Sequence, residues 1–159
     1  MEVNLFIVPV LPDFAPDRPA LQRAEDLIST FYWQAANDVS VQLHSNRRAV
    51  GSATNLGKLD CPECRCVLDV RSDDLDEWWS NLRDLLYASE TPLTESVDMP
   101  CCKGKVSLDR LDFGEFIRFS RLVISVDDPS DGDELTAEQL FEIEDLLKCK
   151  LLQFKTFET

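Results

Sequence analysis

A chain of 159 residues with 44% hydrophobic and 9% aromatic side chains can build one real core. Any bound metal is then a local staple and not the sole reason the chain folds. Thirty acids face sixteen bases, a formal net charge of −14; residues 1–59 hold 6 acids and 5 bases, residues 60–159 hold 24 and 11. Such a surface repels phosphate backbones and anionic headgroups and attracts basic proteins, which argues against direct binding to nucleic acid or to a membrane.

The opening stretch MEVNLFIVPVLPDF is apolar, but no basic region precedes it, Pro9 and Pro12 interrupt it, and no small-residue cleavage site follows. It is too short to cross a bilayer and reads as a first strand over about 3–10. The expected location is cytoplasmic and reducing, where six cysteines are read as ligands or core residues before they are read as disulfides. DFAPDRPALQRAEDLISTFYW then puts Leu21, Ala24, Leu27, Ile28 and Phe31 on one helical face, with Pro16 and Pro19 suited to the first turn. VSVQLH (39–44) alternates as a half-buried strand does, and SNRRAVGSATNLGKLD (45–60) reads as a polar connector.

CVLDV (66–70) is a short strand. SDDLDEWWSNLRDLLYAS (72–89) sets Leu75, Trp78, Trp79, Leu82, Leu85 and Leu86 at helical spacing behind an acidic front that suits the helix dipole. Adjacent tryptophans lie about 100° apart around a helix, so one is expected under the sheet and the other under the cysteines. KVSLDRLDF (105–113) and FIRFSRLVISV (116–126) are strand-like, the second rich in β-branched and aromatic residues. TAEQLFEIEDLLKCK (136–150) opens with Thr136 and Gln139 in capping-box spacing and turns Leu140, Ile143 and Leu147 inward; LLQFKTF closes as a strand. No internal repeat or linker stands out. The expected architecture is one α+β domain over 1–159: helices packed on one face of a mostly antiparallel sheet, with 61–102 a zinc-stapled strand–helix insertion.

The chemistry is in DCPECRC (60–66) and MPCCKG (99–104). Two spacer residues let the sulfurs of a C-x-x-C turn face one point, and thiolates are favoured ligands of structural zinc. Cys61 and Cys64 form one such knuckle; Cys101 and Cys102, between Pro100 and Gly104, supply the other two ligands. Consecutive residues usually point apart, so the second pair needs a tight turn, and if only one sulfur converges then Cys66 or His44 is the expected fourth ligand. Cys149, in the last turn of the final helix, reads as core.

Other chemistries fit less well. A thioredoxin-like C-x-x-C follows a strand and starts a helix, whereas CPEC follows a connector and precedes a strand. Zinc deaminases need an upstream H-x-E, but the single histidine lies in HSN. Five glycines are scattered and build no phosphate loop. Asp127, Asp131, Gly132 and Glu138 fall at calcium-loop positions, yet Pro129 sits at the third and a strand precedes them; a solvated acidic turn is the better account. No catalytic residue is expected.

The chain resembles a family of small bacterial proteins with a CPxC…PCC knuckle motif, through CPEC (61–64), LDEWWSNL, PCC (100–102), SLDRLDF, FIRFSRLVI and CKLLQFKTF. The resemblance implies a zinc knuckle and, after each cysteine pair, a glycine, where this chain has Arg65 and Lys103. In size and acidity the chain also resembles immunity proteins, which block secreted bacterial toxins by direct binding. The leading expectation is a non-enzymatic protein that binds a basic partner, a secreted toxin domain. The alternatives are a zinc-stapled adaptor for a housekeeping partner and a CxxC thiol oxidoreductase.

Overall fold

In chain order the elements are β1 (Glu2–Pro9), α1 (Arg18–Phe31), β2 (Val39–Gly51), β3 (Lys58–Asp60), β4 (Val67–Asp69), α2 (Asp76–Tyr87), β5 (Ser96–Asp98), β6 (Lys105–Ser107), β7 (Ile117–Asp127), α3 (Ala137–Leu147) and β8 (Leu151–Glu158). They are seen in a computed structural model, which describes residues 2–33, 38–88, 92–127, 129 and 134–158. The long strands form one antiparallel sheet in the order β2-β7-β1-β8, and β3–β4 and β5–β6 are separate two-stranded hairpins. The α+β expectation holds.

Alternation along β1 and β7 decides what packs where. Leu5 and Ile7 of β1 and Leu122, Ile124 and Val126 of β7 are fully buried against Ala20, Ala24 and Ile28 of α1 and Ile143 and Leu147 of α3. Both helices start on side-chain caps: Asp17 accepts from the Ala20 N–H at 2.8 Å, and Thr136 and Gln139 form the anticipated reciprocal box. The opposite face carries Phe6, Val8, Val123, Leu152 and Phe154, with Phe6 and Phe154 stacked at 5.5 Å.

β2 does not stop at His44. It runs on to Gly51 through residues read as a connector, because a bulge hides its periodicity: Leu43 pairs with Leu122 and the next pair is Arg48 with Ser120. The bulged segment lets Arg47 form a bidentate pair with Asp13, both bonds 2.8 Å. Gly51 ends the strand at φ +114°, where an added Cβ would collide with the Phe116 carbonyl. The expected strand over 105–113 is also shorter. After β6 the chain makes a 3-10 turn, Leu108–Arg110, which buries Leu108 and Leu111 three residues apart.

The segment between β2 and β7 has its own core. Trp79, Leu82 and Leu86 of α2 meet Leu59, Leu68, Met99 and Val106 of the hairpins, and Leu108, Leu111 and Phe113 below them. This cluster draws on residues from Ala53 to Ile117, a wider stretch than 61–102. It reaches the sheet through Ala49, Ile117 and Phe119, on the face away from α1 and α3. Aromatic rings mark the joint: Trp79 to Phe113 at 6.5 Å, then Phe113 edge-on to Phe119 at 6.0 Å. Of the calcium-loop positions, Asp127 ends β7 and Glu138 lies in the first turn of α3, while Asp131 and Gly132 lie outside the described residues. Among the described residues no helix is long and apolar enough to cross a membrane.

Candidate metal centre

The two hairpins are copies of one design. β3–β4 pairs Lys58 with Asp69, Leu59 with Leu68 and Asp60 with Val67; β5–β6 pairs Ser96 with Ser107, Val97 with Val106 and Asp98 with Lys105, a constant offset of 38. Their loops close with the same bonds. Cys61 N–H donates to Cys66 O at 2.9 Å and Arg65 N–H to Cys61 O at 2.8 Å; Met99 N–H donates to Gly104 O at 2.9 Å and Lys103 N–H to Met99 O at 3.0 Å. KLDCPECRCVLD and SVDMPCCKGKVS therefore correspond residue by residue, an internal repeat the sequence did not disclose. Only Asp60/Asp98, Pro62/Pro100 and Cys64/Cys102 are identical.

Arg65 and Lys103 stand at φ 64° and 60°, the left-handed region that costs a side-chain-bearing residue about 1–2 kcal/mol. Replacing either, Arg65→Gly or Lys103→Gly, is expected to raise stability by about 1 kcal/mol in urea titrations with no change in slope. A loss of stability would mean that the side chain contributes more than its backbone costs.

The alignment also shows a displaced ligand. Met99 occupies the place of Cys61, and Cys101 the place of Glu63. The tight turn at Lys103 still brings both sulfurs of the adjacent pair inward. Cys61 Sγ lies 3.9 Å from Cys102 Sγ and Cys64 Sγ lies 3.4 Å from Cys101 Sγ; all four sulfurs are within 4.8 Å of one another. A tetrahedron of sulfurs at about 2.3 Å from a zinc ion has edges of about 3.8 Å. Four sulfurs at this spacing, all of them free thiols, can hold a metal ion. The expected set Cys61, Cys64, Cys101 and Cys102 is the one brought together.

The surroundings already favour thiolate at one corner. Burial pushes the Cys61 thiol up, but the N–H groups of Cys64 and Glu63 and the thiols of Cys101 and Cys64 outweigh it and bring it down to about 7. Burial and the neighbouring thiols push Cys101 up. At Cys102 the Gly104 N–H lowers the thiol, and burial with the Cys61 and Cys64 sulfurs raises it further than that. One metal ion bound by the four sulfurs would remove this competition by stabilising all of them as thiolates.

The alternates stay outside. Cys66 is exposed and its Sγ lies 3.7 Å from the Val67 carbonyl. His44 sits in the β2 bulge, its carbonyl accepting from Arg121 at 3.0 Å, its ring held below the usual range by burial and by Arg48. Cys149 packs beside the α1–α3 core, where burial and Glu144 push its thiol up to about 11. Glu63 pairs with Arg110 at 2.9 Å and tethers the first knuckle to the turn after β6. Trp78 donates from its indole to Asp98 O at 2.9 Å, so the half-buried tryptophan does support the second knuckle while Trp79 fills the core.

Comparison of the chain with protein-family models, curated proteins and solved structures finds no match.

The repeat makes a test of the ligand set. Met99→Cys combined with Cys101→Glu gives the second knuckle the same CPEC as the first. Cys101→Glu alone is expected to weaken metal binding on the order of 100-fold or more, and adding Met99→Cys to restore it, read by competition with a chromogenic chelator. An unrescued double variant would show that position 99 does not face the site.

Proposed function

We propose that the chain is a non-enzymatic binding protein whose four cysteines hold one structural zinc ion, and that it acts as an immunity protein against a basic toxin domain. The observation that carries the reading is the closed set of four sulfurs, two from each hairpin. Four protein ligands complete a tetrahedral zinc site and leave no position for a substrate or an activated water, which is the pattern of structural and not catalytic zinc. Such a staple holds the inserted unit rigid and lowers the ordering cost of binding.

The net charge of −14 supports a basic partner, since it steers cationic surfaces and repels nucleic acid. On α3, exposed Glu138, Glu142 and Asp145 flank Phe141, which is 61% exposed, an aromatic that can anchor a contact amid acids. The test is calorimetry of the purified protein against a panel of cationic toxin domains over rising salt, with elemental analysis of the same sample. Equimolar zinc and a salt-weakened complex with one toxin, weakened further by Phe141→Ala, are the expected results. Absence of zinc would remove the metal reading, and failure to bind any toxin domain at low salt would remove the immunity reading.

A further inference from the structure

We propose that Cys64 and Cys101 are the oxidisable edge of the metal centre: peroxide converts this pair to a disulfide that expels the metal and takes over its role as the tie between hairpins. The inference rests on the reading of the four sulfurs as a metal site and adds its regulation.

Two observations single out the pair. Their sulfurs are the closer of the two cross-hairpin contacts, 3.4 Å against 3.9 Å for Cys61 and Cys102. Both residues are exposed, whereas the other cross-hairpin contact joins exposed Cys102 to Cys61, which is 1% exposed and shielded within the core beneath the knuckles. Cys101 itself stands at the loop site that Glu63 occupies in the first hairpin.

The chemistry balances with a peroxide as oxidant. The Cys101 thiolate attacks one peroxide oxygen, the O–O bond breaks, and a sulfenic acid and hydroxide form. The Cys64 thiolate then attacks the Cys101 sulfur; an S–S bond forms and a second hydroxide leaves. Two protons convert both hydroxides to water, two electrons have passed from the thiolates to the peroxide, and the metal, left with two thiolates, departs as a divalent ion. The cross-link joins the same two hairpins, so the insertion stays tied after the metal is lost.

The experiment uses the full chain carrying Cys66→Ser and Cys149→Ser, loaded with zinc and treated with hydrogen peroxide. Zinc release is followed with a chromogenic chelator, and the disulfide is mapped by peptide mass spectrometry. The expected result is one zinc released per disulfide, the bond mapped to Cys64–Cys101, and recovery of the zinc-bound form with dithiothreitol and zinc. Cys101→Ser is expected to abolish the 64–101 cross-link and to leave Cys64 without a disulfide after peroxide, with circular dichroism confirming the fold. A disulfide mapped to Cys61–Cys102 or Cys61–Cys64, sulfinic acids without a disulfide, or zinc retained after treatment would overturn the proposal. If the chain takes up no zinc, the metal reading and with it the release step fail, and the mapped bond in the metal-free chain still decides which pair oxidises.

Discussion

Stripping the metal from the loaded protein is expected to cost about 4 kcal/mol of stability where free metal had stood 1,000-fold above its dissociation constant. The loss should be local. Each knuckle hairpin has strands of three residues, and two-stranded ribbons of that length do not hold themselves together in water. A metal ion on the four sulfurs would supply a cross-tie between 58–69 and 96–107. The main sheet does not depend on it, because α1 and α3 bury their own cluster on the far face. Hydrogen exchange after chelation should therefore quicken in both hairpins and remain slow in β7 and β8. Tryptophan fluorescence should shift too, since Trp78 donates to the Asp98 carbonyl beside the second knuckle. Unchanged exchange in the hairpins would show that the sulfurs carry no structural metal. Equal loss across β7 and β8 would show one cooperative unit instead of two.

Much of this frame was readable from residue pattern, and the failures have common physical causes. β7 and β8 announce themselves through runs of β-branched and aromatic residues, and α3 through a capping box that forms as spaced. The four sulfurs were legible because C-x-x-C leaves few alternatives in a chain with one histidine. The end of β2 was not, because the bulge between Leu43 and Arg48 breaks the two-residue period on which a strand is recognised. The repeat was hidden for a different reason. A knuckle is specified by backbone hydrogen bonds and by left-handed residues after the cysteines, and both leave little trace when Arg65 and Lys103 stand where glycine would signal them. Recognising that Met99 replaces a cysteine required the hairpin register; the letters alone suggest two unlike cysteine pairs.

Phe113→Ala is expected to destabilise the protein by about 3–5 kcal/mol, the range for emptying a fully packed phenylalanine site. Phe113 is 2% exposed and lies in the insertion's cluster where that cluster meets the sheet. Its ring meets Trp79 of α2 on one side and Phe119 of β7 on the other, so it transmits packing between the insertion and the sheet. The cavity left behind should do more than lower the midpoint. With metal bound, the hairpins keep their tie and the α1–α3 cluster keeps its own contacts, so each unit retains a core after the joint is lost. Denaturation of Phe113→Ala should then resolve into two transitions, tryptophan fluorescence reporting the insertion and far-ultraviolet circular dichroism weighted toward the sheet and its helices. Coincident transitions in the variant would place the coupling elsewhere along Ala49 and Ile117, which also join the insertion's cluster to the sheet. Phe113→Leu, which refills most of the volume without the edge-on contact, should recover the larger part of the lost stability and the single transition. That recovery would assign the coupling to filled space and not to the geometry of the rings.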